Sequence, residues 1–156
     1  MRELNQIYSK LSEYPAPSKL SQELSDEITV LGVGSARLVI EDPTNSNYVL
    51  KLGVGRGIEQ NKNEIDVWEI SKKRGVSDLL VPIIKYDSEN KWIQMPKVST
   101  SFGLDKYHGP YAKIIYNELK DNKIYLNEIE TCMMDSEPMA FDYGALEAIR
   151  PVKKFQ

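Results

Sequence analysis

Two glycines, Gly32 and Gly34, interrupt a run of β-forming residues, and this interruption constrains the fold more than any other stretch of the chain. Ile28 and Val30 stand before them; Leu38, Val39 and Ile40 stand after. Aliphatic and β-branched residues on both sides of a glycine pair predict two antiparallel strands joined by a tight turn. A dinucleotide-binding fingerprint needs a helix directly after its glycines, so that the helix N-terminus meets the pyrophosphate. Here β-formers follow, and then the turn Asp42-Pro43-Thr44-Asn45-Ser46-Asn47, so that fingerprint fails. Two uses of the glycines remain: an ordinary strand turn, or a bare backbone that lets a phosphate approach without a side-chain clash.

Further along, Tyr48-Val49-Leu50-Lys51-Leu52 reads as a third strand. Residues 58–73 predict a helix with Asn61, Glu64, Ile65 and Trp68 on one inward face. Gly75 ends it. Strands are expected over 81–86 and 91–95, joined by Asp87-Ser88-Glu89-Asn90. Pro110 opens a helix carrying Ala112, Ile115, Tyr116 and Leu119. A hairpin joins 131–134 to 139–141 across Asp135-Ser136-Glu137-Pro138. Ahead of all this, Leu4, Ile7, Tyr8 and Leu11 have helical spacing, Pro15 and Pro17 stop that helix, and Ser18 caps a second with Leu20 and Leu24. The succession of three strands, helix, two strands, helix and hairpin is an α+β pattern. It divides into a helical extension (1–27), a strand-rich part (28–98) and a C-terminal part (99–156), together one compact domain.

The 156 residues suit one core. With a net charge of −3 and scattered Lys and Arg, the chain lacks the electrostatic footprint expected of a nucleic-acid binder. No apolar stretch is long enough for a leader or a bilayer span, so no membrane partner is expected. A single cysteine, Cys132, excludes an intramolecular disulfide and fits a buried inert thiol in a reducing cytoplasm. The single histidine, His108 in Tyr107-His108-Gly109-Pro110, suits a turn or cap, and one His with one Cys cannot build a His/Cys zinc site.

Three charged residues stand where packing alone does not ask for them. Lys51 lies in an apolar strand, where its ammonium can meet phosphate or, on an edge strand, reach water. Glu64 shares the inward helix face and needs a cation, for which Lys51 is the natural candidate; Glu59 and Glu69 are the expected solvated carboxylates. Asp142 follows an apolar strand in Phe141-Asp142-Tyr143-Gly144.

Taken in order, these pieces resemble the protein-kinase-like superfamily and, more closely, the very short kinase-like proteins common in tailed-phage genomes. The resemblance runs over residues 28–144. It rests on Gly34-Ser35-Ala36-Arg37-Leu38-Val39, Lys51, Gly57-Ile58-Glu59-Gln60-Asn61-Lys62-Asn63-Glu64 with Trp68, and Asp142-Tyr143-Gly144. It implies a reduced kinase-like fold: a five-stranded antiparallel N-lobe with one key helix, and a truncated C-lobe ending shortly after the D-Y-G. It also implies Mg-ATP in the interlobe cleft. Gly32, Gly34 and Val39 would roof the nucleotide, Lys51 would meet phosphate, Glu64 would hold Lys51 and Asp142 would hold Mg²⁺. Met95 would line the back of the adenine pocket, or simply fill the core, and the backbone from Pro96 to Val98 would bond the adenine edge.

The departures are as informative. Arg37 replaces the third glycine of the kinase loop, where it would add a phosphate contact or plug the site. No His-Arg-Asp loop is present. Asp121-Asn122-Lys123 with Asn127 is its nearest echo, with Asp121 as base and Asn127 as a second metal ligand; the other reading is a polar turn after a helix. Too few residues follow Gly144 for an activation segment or a peptide-substrate platform. The resemblance therefore implies either a minimal phosphotransferase or an inactive, pseudokinase-like phage protein that binds and modulates a host protein.

Overall fold

The computed structural model describes residues 17–24, 28–34, 36–98, 110–126 and 129–144. They fall into two compact units, one drawn from 1–61 and 83–97, the other from 62–82 and 98–156. The architecture is mixed α+β, with a five-stranded antiparallel sheet in the first unit.

That sheet comprises β1 (Val30–Val33), β2 (Arg37–Glu41), β3 (Tyr48–Gly53), β4 (Lys85–Tyr86) and β5 (Trp92–Pro96), in the order β1-β2-β3-β5-β4. Short turns join β1 to β2 and β2 to β3, which is why these neighbours are antiparallel hairpins. Side chains alternate across a strand, so Leu38 and Ile40 of β2 and Leu50 and Leu52 of β3 share one face. They form a buried cluster, flanked by Ile28, Val30, Val54 and Trp92. Fully burying each aliphatic side chain contributes about 2 kcal/mol. Helix α1 (Pro17–Leu24) lies against β1 and β2.

The β2–β3 turn is organised by Asp42. Its Oδ1 accepts the Thr44 amide and hydroxyl, both at 2.8 Å, and its Oδ2 accepts Gln94 Nε2 at 2.6 Å. Burial pushes this carboxyl upward, but the bonds from Thr44, Gln94 and the Asn45 amide together outweigh it and hold it below its ordinary value of 3.8.

Helix α2 (Arg56–Lys73) begins in the first unit and continues in the second, the division falling between Asn61 and Lys62. It starts two residues earlier than its apolar periodicity predicts, after Gly55 at φ 56°. It ends as expected at Gly75 (φ 73°): the Gly75 amide bonds the Lys72 carbonyl and the Val76 amide bonds the Ser71 carbonyl, a Schellman stop. On the expected inward face Asn61, Glu64 and Ile65 are buried. Trp68 is only half-buried, with the Lys72 ammonium 5.4 Å from its ring centre.

The second unit also holds a 3₁₀ turn (Ser77–Leu79), helix α3 (Pro110–Asp121) and the hairpin β6 (Glu130–Met134)–β7 (Glu137–Asp142). α3 buries Ala112, Ile115 and Leu119 and packs on the hairpin. The hairpin turn is only Asp135-Ser136, both at positive φ (51° and 67°), and Glu137 already pairs with Met134. A two-residue turn of this hand matches the twist of the strands it joins, so the predicted four-residue turn contracts. The strand expected over 81–86 is paired in the sheet only at Lys85–Tyr86. Leu80 and Val81 instead bridge to β7, where the Val81 amide donates to the Ala140 carbonyl at 2.8 Å. No described helix is long and apolar enough to cross a membrane. The helix predicted over 3–13, His108 and Asn127 lie outside the described residues.

Candidate functional site

Within the first unit, register places the sequence-selected residues on one sheet. Directly paired residues share a face, and Gly32 pairs Val39, Val39 pairs Lys51, and Lys51 pairs Ile93. A row therefore crosses β1, β2, β3 and β5 with Lys51 near its middle. Two positions along the same face on either side stand Arg37, paired with Gly53, and Met95, paired with Val49. Lys51 is only 5 % exposed and sits on a central strand, so the edge-strand alternative for this lysine does not hold. Met95 and Ile93 are fully buried, whereas Val39 and Gly32 are partly open.

The glycines divide by cause. Gly57 is dictated by packing, because a Cβ there would overlap the Ala36 carbonyl. At Gly53 a Cβ would come within 2.6 Å of the Gly57 backbone. Neither Gly32 nor Gly34 has such a reason. A Cβ at Gly32 would lie 3.8 Å from Val39 Cβ, and one at Gly34 would lie 3.4 Å from the Arg37 carbonyl. Neither has a positive φ, and the Gly34 amide simply closes the hairpin on the Arg37 carbonyl at 2.8 Å. Among the described residues, a Cβ at either position meets only ordinary van der Waals contact.

Arg37 does not hang free over the sheet. Its Nη1 donates to Asn61 Oδ1 at 3.2 Å. Asn61 is itself fully buried, and its Nδ2 donates to the carbonyls of Lys51 (3.2 Å) and Asn90 (3.0 Å). One amide side chain thus ties the first turns of α2 to β2, to the Lys51 backbone and to the β4–β5 turn. Beyond β5, the Lys97 amide donates to the Asn47 carbonyl at 2.8 Å. Pro96 has no amide hydrogen to donate.

In the second unit, Glu64 is 0 % exposed and its Oε1 accepts the Tyr143 amide at 3.1 Å. The Tyr143 ring is fully buried and its hydroxyl donates to the Val81 carbonyl at 2.8 Å. Asn63 Nδ2 reaches the Gly144 carbonyl at 3.5 Å. Glu64 and the D-Y-G segment, 79 residues apart in sequence, are therefore brought together. Asp142 is half-buried at the end of β7, opposite Glu130. Glu59 is exposed, and Glu69 pairs with Lys72 at 3.2 Å.

Asp121 is the exposed last residue of α3. After it Lys123 adopts φ 63°, its amide bonds the Lys120 carbonyl, and the Ile124 amide bonds the Leu119 carbonyl at 2.9 Å. Asp121-Asn122-Lys123 is thus a Schellman helix stop in which lysine takes the position glycine usually fills. The Asn122 carbonyl also accepts Arg74 Nη1.

Asn61 and Gly57 carry roles that the sequence did not assign. Their only signal was position within the Gly57–Glu64 stretch, one on the inward face and one at the helix start. Among the described residues no three His, Cys, Asp or Glu side chains gather as a metal cluster. No family model, curated protein or solved structure matches the chain.

Proposed function

We propose that this protein binds Mg-ATP, with Gly32, Gly34, Val39, Lys51 and Met95 on the nucleotide and Asp142 on the metal. The observation that carries the reading is the row from Gly32 through Val39 to Lys51. It combines a nearly buried lysine on a central strand with Gly32, and Gly34 follows just beyond the end of β1. An ammonium on that face carries the charge that polyphosphate asks for. Glycines without an internal steric cause fit a surface that another molecule must approach closely. A buried Met95 suits the base end of such a surface. Pro96 and Val98 supply the carbonyl and the amide that an adenine edge would need.

Asp142 fits a magnesium ion by the chemistry of its donor. Mg²⁺ takes hard oxygen ligands, and sites that work on nucleotides usually combine one or two carboxylates with phosphate oxygens and water. When bound, the ion neutralises charge on the β- and γ-phosphates. Glu64 holds the segment that carries Asp142, and Lys51 binds phosphate.

A second reading, binding without phosphate transfer, is favoured by two observations. Arg37 stands where a kinase loop would carry its third glycine and is engaged by Asn61, and Asp121, the proposed base, is an exposed helix terminus. In that form the protein is a nucleotide-holding interaction module acting on a host protein. Either form suits a phage-encoded protein working in a host cytoplasm.

Thermal melting with and without Mg-ATP tests the binding. A ligand that binds only the folded state raises the midpoint with the ratio of ligand to Kd. Lys51→Met and Asp142→Asn are expected to abolish the rise. Gly32→Ala is expected to leave the nucleotide-free midpoint unchanged while reducing the rise. Glu64→Gln is expected to weaken binding more than Glu69→Gln does. A flat response of the unmodified protein up to millimolar Mg-ATP refutes the proposal. Incubation with γ-labelled ATP then separates the two forms: label on the protein or released phosphate supports transfer, and neither supports the interaction module.

A further inference from the structure

The five-stranded sheet has two outer strands, β1 and β4, and they are protected differently. β4 is two residues long and carries Lys85, two features that discourage another chain from pairing there. β1 has no charge and no proline: Val30-Leu31-Gly32-Val33 is apolar throughout. A bulge between Val30 and Gly32 bends this edge. Val30 packs on the buried cluster, but Leu31 is 43 % exposed and Val33 is 49 % exposed. The edge that lacks charge is therefore also the edge with open aliphatic side chains.

The chain carries a matching surface beside it. Helix α1 lies against β1 and β2 and begins at Pro17. Residues 1–16 lead directly into that helix, so their end is anchored next to β1. Leu4, Ile7, Tyr8 and Leu11 recur at i, i+3, i+4 and i+7, one apolar stripe on an otherwise polar segment. At about 1.5 Å per residue, a helical stripe from Leu4 to Leu11 is about 10 Å long. Leu31 and Val33 stand about 7 Å apart on a strand that rises about 3.3 Å per residue. The stripe is long enough to cover both, and residues 12–16 leave chain enough to turn onto the edge.

We propose that residues 1–14 dock on β1 as a strap, with Leu4, Ile7, Tyr8 and Leu11 covering Leu31 and Val33. The strap occupies the edge that a strand of another chain would otherwise seek, and it steadies the strand that carries Gly32. This docking does not depend on the Mg-ATP reading.

Two measurements on the full chain test it. The first is amide hydrogen exchange in Ile7→Asp/Leu11→Asp. Exchange over residues 30–33 and 38–40 is expected to rise about tenfold, because the cover over two aliphatic side chains is lost, while Ile115 and Leu119 stay unchanged. Unchanged exchange at 30–33, or an equal rise at Ile115 and Leu119, overturns the proposal. The second is crosslinking by a short bismaleimide in Lys10→Cys/Val33→Cys and in Lys10→Cys/Tyr86→Cys. Cys132 is buried and does not compete for the reagent. Tyr86 is 47 % exposed on the opposite edge of the sheet, so it serves as the control. The link to Val33 is expected within one chain and about tenfold faster than the link to Tyr86, since docking raises the effective concentration at one site only. Equal rates, or a faster link to Tyr86, count against docking on β1. A product that joins two chains and dominates over the intrachain link shows a second copy on the edge, and this too overturns the strap. If Ile7→Asp/Leu11→Asp does not fold, the crosslinking rates alone decide.

Discussion

Replacing Asn61 by alanine should be among the most destabilising single changes in the first unit that remove no apolar packing. The side chain is fully buried and makes three bonds, one from Arg37 Nη1 and two to the carbonyls of Lys51 and Asn90. At about 1 kcal/mol net for each, the loss is about 3 kcal/mol. Alanine's better helix propensity returns about 0.5 kcal/mol, leaving about 2.5 kcal/mol. Urea unfolding followed by tryptophan fluorescence measures this directly, since Trp92 lies beside the buried cluster of the sheet. With a slope of about 2 kcal/mol/M the midpoint should fall by about 1.2 M at constant slope. Arg37→Ala removes one of the three bonds and should cost about 1 kcal/mol. Combined with Asn61→Ala it should add less than its separate cost, because the shared bond is lost only once. Glu59→Ala, on the exposed face of the same helix, should stay within about 0.5 kcal/mol of the unmodified protein. If Asn61→Ala falls inside that control range, Asn61 does not hold the two backbone carbonyls, and the account given for the Gly57–Glu64 stretch fails.

Three other outcomes are expected. Asp42 has a depressed pKa in the folded state, so its contribution is present above its ordinary value of 3.8 and is lost as pH falls below that into the folded-state range; Asp42→Asn should flatten the acid limb of a stability–pH curve, and an unaltered limb would contradict the hydrogen-bond assignment. Burial pushes the Cys132 thiol up to about 11, so only about one molecule in a thousand carries thiolate at pH 8; native protein should react with a thiol reagent only through opening, and rapid native labelling would show the thiol to be accessible. Lys123 occupies a left-handed position at φ 63°, so Lys123→Gly should stabilise by about 0.5 kcal/mol, the relieved strain exceeding the added chain entropy; a lower melting midpoint would mean that the lysine side chain contributes more than its backbone costs.

What could be read from the sequence was local. The runs Leu38–Ile40 and Tyr48–Leu52 announced β2 and β3 through their β-forming composition, and the spacing of Asn61, Glu64 and Ile65 announced the buried face of α2. Gly75 announced the end of that helix. The same reasoning did not find the use of Glu64 at Tyr143, because a carboxylate on an inward face asks for a donor without saying which of many distant groups supplies it. It left Asp121-Asn122-Lys123 open between a catalytic echo and a turn, since both need the same short polar residues. It also stretched the strand before β5, because Leu80 and Val81 are as apolar as strand residues in the sheet would be, although they bridge to Ala140 instead.

By itself, then, the sequence determined which segments are strands or helices, which faces turn inward, and which charged residues require an unusual environment; propensity and periodicity act over a few neighbouring residues and leave their mark there. Tertiary structure alone decided that Lys51 occupies a central strand in line with Gly32, that Asn61 answers three distant groups, and that Glu64 and Val81 together hold Tyr143. Those pairings are chosen when buried polar groups must find partners in a closed core, and the winning partner depends on the whole arrangement of strands and helices.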